Sequence, residues 1–123
     1  MAATGVVTLN ANVTGGLDGS RAFGPITVKT TSAVTQTLSV SLSIGANTIT
    51  LPSGTTACVL IPPNGANPVP NPAFSGTLTL KGVSGDTGIA ISNTYPTMLS
   101  WDTSPSSIVI NSTATGTLSA WMM

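Results

Sequence analysis

Residues Val34 to Ile44 read VTQTLSVSLSI. Val34, Leu38, Val40, Leu42 and Ile44 alternate with Thr37, Ser39, Ser41 and Ser43. A period of two belongs to a strand with one face in a core and a hydroxyl face in water. Gly45, Ala46 and Asn47 then supply a turn, so Thr48 to Leu51 is expected to return as the partner strand of a hairpin.

The same reading extends in both directions. Val7, Leu9, Ala11 and Val13 form one face of an N-terminal strand that stops at Gly15-Gly16, and Ile26 to Thr30 forms another after Gly24-Pro25. Thr56 to Ile61 is an unbroken apolar run, as expected of a central strand covered on both faces. Thr77 to Lys81, Gly88 to Ser92, Thr97 to Trp101, Ser107 to Asn111 and Thr115 to Met122 complete the series. No stretch carries a helical period, and strong helix formers are scarce. The fold class expected is all-β: an antiparallel β-sandwich or jelly-roll-like barrel of about nine or ten short strands. One domain spans residues 1–123.

Composition narrows the function. Only 5% of residues are charged, and the net charge is zero, against about 25% charged in ordinary soluble domains. Without long-range repulsion, copies associate readily, which favours a working state inside an assembly. Three cations are too few for a phosphate-neutralising footprint, so nucleic acid is not an expected partner. No apolar run approaches the ~20 residues of a membrane-spanning helix, so no membrane partner is expected either. Residues Met1 to Asn10 lack the charged and apolar regions of a secretion signal. Cys58 is the single cysteine and sits in an apolar run, where a buried structural thiol is expected.

Chemistry-bearing constellations are sparse. The chain has no histidine, the commonest general base and metal ligand, and no glutamate. Its three acidic residues, Asp18, Asp86 and Asp102, lack the spacing of a calcium loop. Asp86-Thr87-Gly88 matches the active-site triplet of aspartic proteases, which needs two such carboxylates sharing a proton. Here, however, the triplet lies in the glycine-rich stretch Gly82 to Gly88. A carboxylate turning back onto loop amides is the simpler reading. No catalytic, cofactor or metal residues are assigned, and the chain is not expected to be an enzyme.

Interaction surfaces are more legible. Pro62 to Pro72 reads PPNGANPVPNP, with Pro62, Pro63, Pro68, Pro70 and Pro72 restricting the backbone. It is expected to be a stiff, projecting loop that loses little entropy on docking. Residues 120–123 read AWMM. Alternation puts Trp121 and Met122 on opposite faces, so one can enter the core while the other needs a second cover. These five prolines, Trp121 and Met122 are the expected interface residues, with Trp121 the anchor.

Leu51 to Trp101 carries a resemblance. The segments LPSGTTACVLIPP and TLTLKGVSGDTGIAISNTYPTMLSW, joined by the proline loop, resemble a type of small virion protein of tailed bacteriophages. The resemblance implies a β-sandwich with a structural role in the particle, assembled in the host cytoplasm and located in the virion. A capsid decoration (cement) protein is the first expectation. Its partners would be copies of itself and a major capsid protein, held by many moderate interfaces. A tail or fibre component, with a tail protein as partner, is the alternative. A carbohydrate-binding attachment module is the reading from another class, with a host-surface glycan as ligand and Trp101-Asp102 the one sequence-local candidate for it.

Overall fold

The computed structural model of the protein describes residues 3–13, 21–32, 36–65, 74–83, 85–103 and 105–123. Ten strands run through them and no helix occurs among them: β1 (Ala3–Val13), β2 (Arg21–Ser32), β3 (Gln36–Leu42), β4 (Gly45–Thr50), β5 (Ala57–Ile61), β6 (Leu78–Lys81), β7 (Ile89–Ile91), β8 (Thr97–Ser100), β9 (Ser107–Ser112) and β10 (Gly116–Met122). β1 and β2 pair with each other. The other eight form two four-stranded sheets, ordered β3-β10-β5-β8 and β4-β9-β6-β7.

The pairing explains the path. β3 pairs with β10, β4 with β9, β5 with β8 and β6 with β7, all antiparallel. The chain from β3 to β10 is therefore one long antiparallel ribbon whose tip is the β6–β7 hairpin. Rolling the ribbon over adds the β10–β5 and β6–β9 pairs and deals alternate strands to opposite sheets. This is the jelly-roll path.

The core lies between the sheets. Leu42, Cys58, Leu60, Leu118, Ala120 and Met122 face inward from the first sheet, and Ile49, Leu78, Ile108 and Ile110 from the second; Leu51 and Phe74 add to the same cluster. Aliphatic side chains dominate this layer, which is why so few aromatics suffice to hold two sheets about 10 Å apart. Cys58 is a free, fully buried thiol, and desolvation pushes its pKa up to about 11.

Three expectations need correction. β3 and β4 are not a hairpin, because they belong to different sheets. The core alternation stops at Leu42, and Ile44, expected on the core face, is 72% exposed in the crossing between sheets. Gly45, with φ of 104°, takes the left-handed backbone that turns the chain there. Asn47 then clamps the crossing. Its Oδ1 accepts from the Ser43 amide at 2.8 Å and the Ser43 hydroxyl at 3.1 Å. Its Nδ2 donates to the carbonyls of Ser43, Gly45 and Ile110.

The second correction concerns the start of the second strand, expected at Ile26 after Gly24-Pro25. Arg21 to Pro25 belong to β2. Leu9 pairs with Ile26 and Ala11 with Phe23, so Asn10 stands opposite Gly24-Pro25 in a bulge. A bulge accommodates proline because no ladder hydrogen bond is required of its nitrogen. Gly15-Gly16, Asp18 and Val34 lie outside the described residues.

The third correction is at the proline-rich segment. Pro62 and Pro63 are buried and do not project. Gly65 donates its N–H to the Pro62 carbonyl at 2.9 Å, and the Asn64 amide donates to the Phe74 carbonyl at 2.9 Å. The segment therefore starts as a tight turn packed on the domain. Pro68, Pro70 and Pro72 lie outside the described residues.

Candidate interaction face and edge cleft

The sheet β3-β10-β5-β8 has an unusual outer face. Its strands read QTLSVSL, GTLSAWM, ACVLI and TMLS, with no charged residue in any of them. Register aligns Thr37, Trp121, Val59 and Met98 in one row across all four strands. Neighbouring strands are about 4.8 Å apart, so Trp121, Val59 and Met98 make an apolar band about 10 Å long. Trp121 is 51% exposed and Met98 38% exposed, while Val59 between them is half-buried. The next row, Ser39, Ser119 and Ile61, widens the band by one isoleucine and frames it with hydroxyls.

The end of β10 is held firmly under this band. Met123 accepts backbone hydrogen bonds from Thr56 at 2.7 Å and Ala57 at 3.0 Å, and donates one to Ala57 at 2.8 Å. Met122 is fully buried and Met123 nearly so. Trp121 is therefore presented from a fixed backbone, which lowers the entropy lost on docking. The expected split of Trp121 and Met122 between the two faces is what the strand shows, but Met122, expected among the interface residues, is fully buried in the core and offers no surface.

The opposite sheet differs. Its outward positions are Ala46, Thr48 and Thr50 on β4, Ser107, Val109 and Asn111 on β9, Thr79 and Lys81 on β6, and Ala90 on β7, as the register alternates them with the inward Ile49, Ile108, Ile110 and Leu80. Val109 is buried, and hydroxyls, an amide, one cation and two alanines make up the rest of that side. The two faces of the sandwich thus present distinct chemistry.

A cleft opens where edge strands β7 and β8 leave the two sheets apart. It measures about 490 Å³, and its lining includes Leu80, Ile89, Leu99, Trp101, Lys81 and Asp86. Thr103, Pro105 and Ser107 also line it. Trp101 follows β8 and faces inward by alternation. Its N–H donates to the Thr56 carbonyl at 3.0 Å, and its half-buried ring packs against the core. The sequence offers Trp101 only its neighbour Asp102 as a polar companion. The structure instead brings Trp101 to Asp86 and Lys81, across the sandwich, and Asp102 is exposed outside the cleft lining. Nothing in local spacing signals this, because the pairing of β6 with β7 and the rolled ribbon create it.

Asp86 itself is an exposed loop residue. Its Oδ2 accepts from the Val83 amide at 3.0 Å, and its own N–H donates to the Val83 carbonyl at 3.1 Å. The carboxylate turns back on the β6–β7 loop, as the sequence indicates. Gly88, with φ of 77°, completes the return into β7. No group of three metal-ligating side chains occurs among the described residues.

Neither protein-family models, curated proteins nor solved structures give a match to this chain.

Proposed function

We propose that the chain is a structural subunit of a bacteriophage particle, in the first place a decoration subunit that strengthens the head shell, and in the second a tail-associated subunit. The observation that carries this reading is the charge-free sheet face with the Trp121, Val59 and Met98 row. Cores of protein interfaces are depleted in charge and enriched in aromatics and Met, and this face has that composition. A folded chain with 5% charged residues has little to keep such faces apart in solution, which suits a subunit whose resting state is bound. The jelly-roll path supports the reading more weakly, since capsid and lectin domains both use it.

The mechanism is burial without a chemical step. Trp121 seats in a pocket or against an apolar strip of a neighbouring subunit, and the surrounding Ser39, Ser119 and Thr37 exclude water at the edge. A fully desolvated tryptophan contributes on the order of 2–4 kcal/mol at such a site. Repetition around a symmetric shell multiplies a moderate interface into strong attachment.

The test is a reconstruction of particles made by the virus that encodes the chain. Density for the jelly roll at symmetry-related positions on the shell or tail, with the Trp121 face against a neighbour, is the expected result. Absence of the chain from purified particles contradicts the reading.

A further inference from the structure

We infer that the cleft between the β7 and β8 edges is a binding site for a neutral saccharide, with Trp101 as its stacking platform. The cleft volume of about 490 Å³ falls within the range of small-ligand sites, about 300–1,000 Å³. Its lining combines the apolar Leu80, Ile89, Leu99 and Trp101 with the polar Lys81, Asp86, Thr103 and Ser107. A sugar ring has the matching pair of surfaces: an apolar face of C–H groups that rests on an indole, and an equatorial ring of hydroxyls that needs donors and acceptors at the edge. The indole is an amphipathic platform of this kind. The arrangement is also held in place, because the Trp101 backbone is tied to Thr56 and its ring leans on the core.

The charges select among ligands. Lys81 and Asp86 bring one cation and one anion to the cleft, so their sum is neutral. A phosphate or an acidic glycan gains no net attraction there. An extended peptide has little ladder to join, since β7 is three residues long and a strand-adding ligand depends on main-chain hydrogen bonds. An uncharged, hydroxyl-rich ligand fits both features. This site is on a different side of the sandwich from the Trp121 face, and it stands whether or not the chain is a particle subunit.

The experiment uses the full chain carrying Trp121→Phe, which leaves Trp101 as the remaining tryptophan of two. Cellohexaose, mannohexaose, chitohexaose and a dextran oligosaccharide are titrated to millimolar concentration while the emission is recorded. A saturable shift with at least one of them is expected. Trp101 packs against the core and is itself the reporter, so the cleft is blocked instead by Ile89→Arg, from a position 71% exposed. Ile89→Arg is expected to weaken binding at least tenfold with the melting temperature unchanged, while Met98→Ser on the other face leaves binding intact. No saturable shift with any of these sugars, or binding that Ile89→Arg leaves unchanged, overturns the inference.

Discussion

Trp121 and Met122 are consecutive residues of one strand, and the pleat sends them to opposite worlds: Met122 is fully buried between the sheets, while half of Trp121 stands exposed on the outer face. Their register partners make the contrast sharper. Met122 lies opposite Cys58, in the core, and Trp121 lies opposite Val59, whose other neighbour is Met98.

This pair separates stability from attachment. Met122→Ala is expected to destabilise the domain by about 2–5 kcal/mol, the range for truncating a buried methionine. Trp121→Ser removes a side chain half of which is already covered by the domain, and is expected to cost about 1–3 kcal/mol, less than Met122→Ala. Urea denaturation of the two variants measures both. Equal losses would show that the Trp121 ring is part of the core after all.

Much of this was legible in the sequence, and the reason is local. Alternation is a property of neighbouring residues, so the strands β3, β5, β9 and β10, the burial of Cys58 and the two faces of β10 can be read along the chain. What could not be read depends on which strand lies beside which. The Ser43 to Asn47 stretch has the composition of a hairpin turn, yet Asn47 spends its amide on Ser43, Gly45 and Ile110 to hold a crossing between sheets. Trp101 and Asp86 share a cleft only because the ribbon rolls up. The start of β2 at Arg21 was hidden by Gly24-Pro25, which a bulge absorbs.

Asn47 is accordingly a strong structural test. Asn47→Ala removes five hydrogen bonds, three of them made by its half-buried amide to backbone carbonyls. The expected loss is about 1–3 kcal/mol, dominated by the polar groups left unpaired at the crossing. A thermal melt indistinguishable from that of the unaltered protein would refute the clamp.

Gly88 should resist substitution. Its φ of 77° lies where a side chain is strained, and a Cβ would stand 2.6 Å from the Leu80 carbonyl oxygen. Gly88→Ala is expected to lower stability by about 1–3 kcal/mol from backbone strain alone, with further loss from the close approach. A variant as stable as the parent in urea would show that the β6–β7 tip can rearrange freely.

Asp86 carries the opposite expectation. Its carboxylate accepts the Val83 amide in an exposed loop, so Asp86→Ala should cost about 1 kcal/mol or less. Peptide cleavage at acid pH by the unaltered chain, lost in this variant, would revive the aspartic-protease reading of Asp86-Thr87-Gly88.

Cys58 gives a pH dependence with a definite sign. The thiol ionises near 9.0 when solvated and near 11 in the fold, because burial disfavours the thiolate. Below pH 9 both states hold the proton and stability is unaffected. Between pH 9 and 11 the unfolded chain releases it first, so stability falls as pH rises. Cys58→Ala should flatten that part of the alkaline limb relative to the parent. Native protein at pH 8 should also react with a thiol reagent only after unfolding, and rapid native labelling would contradict the burial.

We propose the uncharged face of β3-β10-β5-β8 as the surface that attaches the chain to a phage particle. The most direct measurement adds purified protein back to particles stripped of it and quantifies the bound fraction, for the parent and for Trp121→Ser, alongside their melting temperatures. The expected result is a variant that stays folded at the assay temperature, with occupancy reduced at least tenfold at subsaturating protein, as when an interface loses an aromatic worth about 2 kcal/mol. Equal occupancy of parent and variant, both folded, would contradict the attachment.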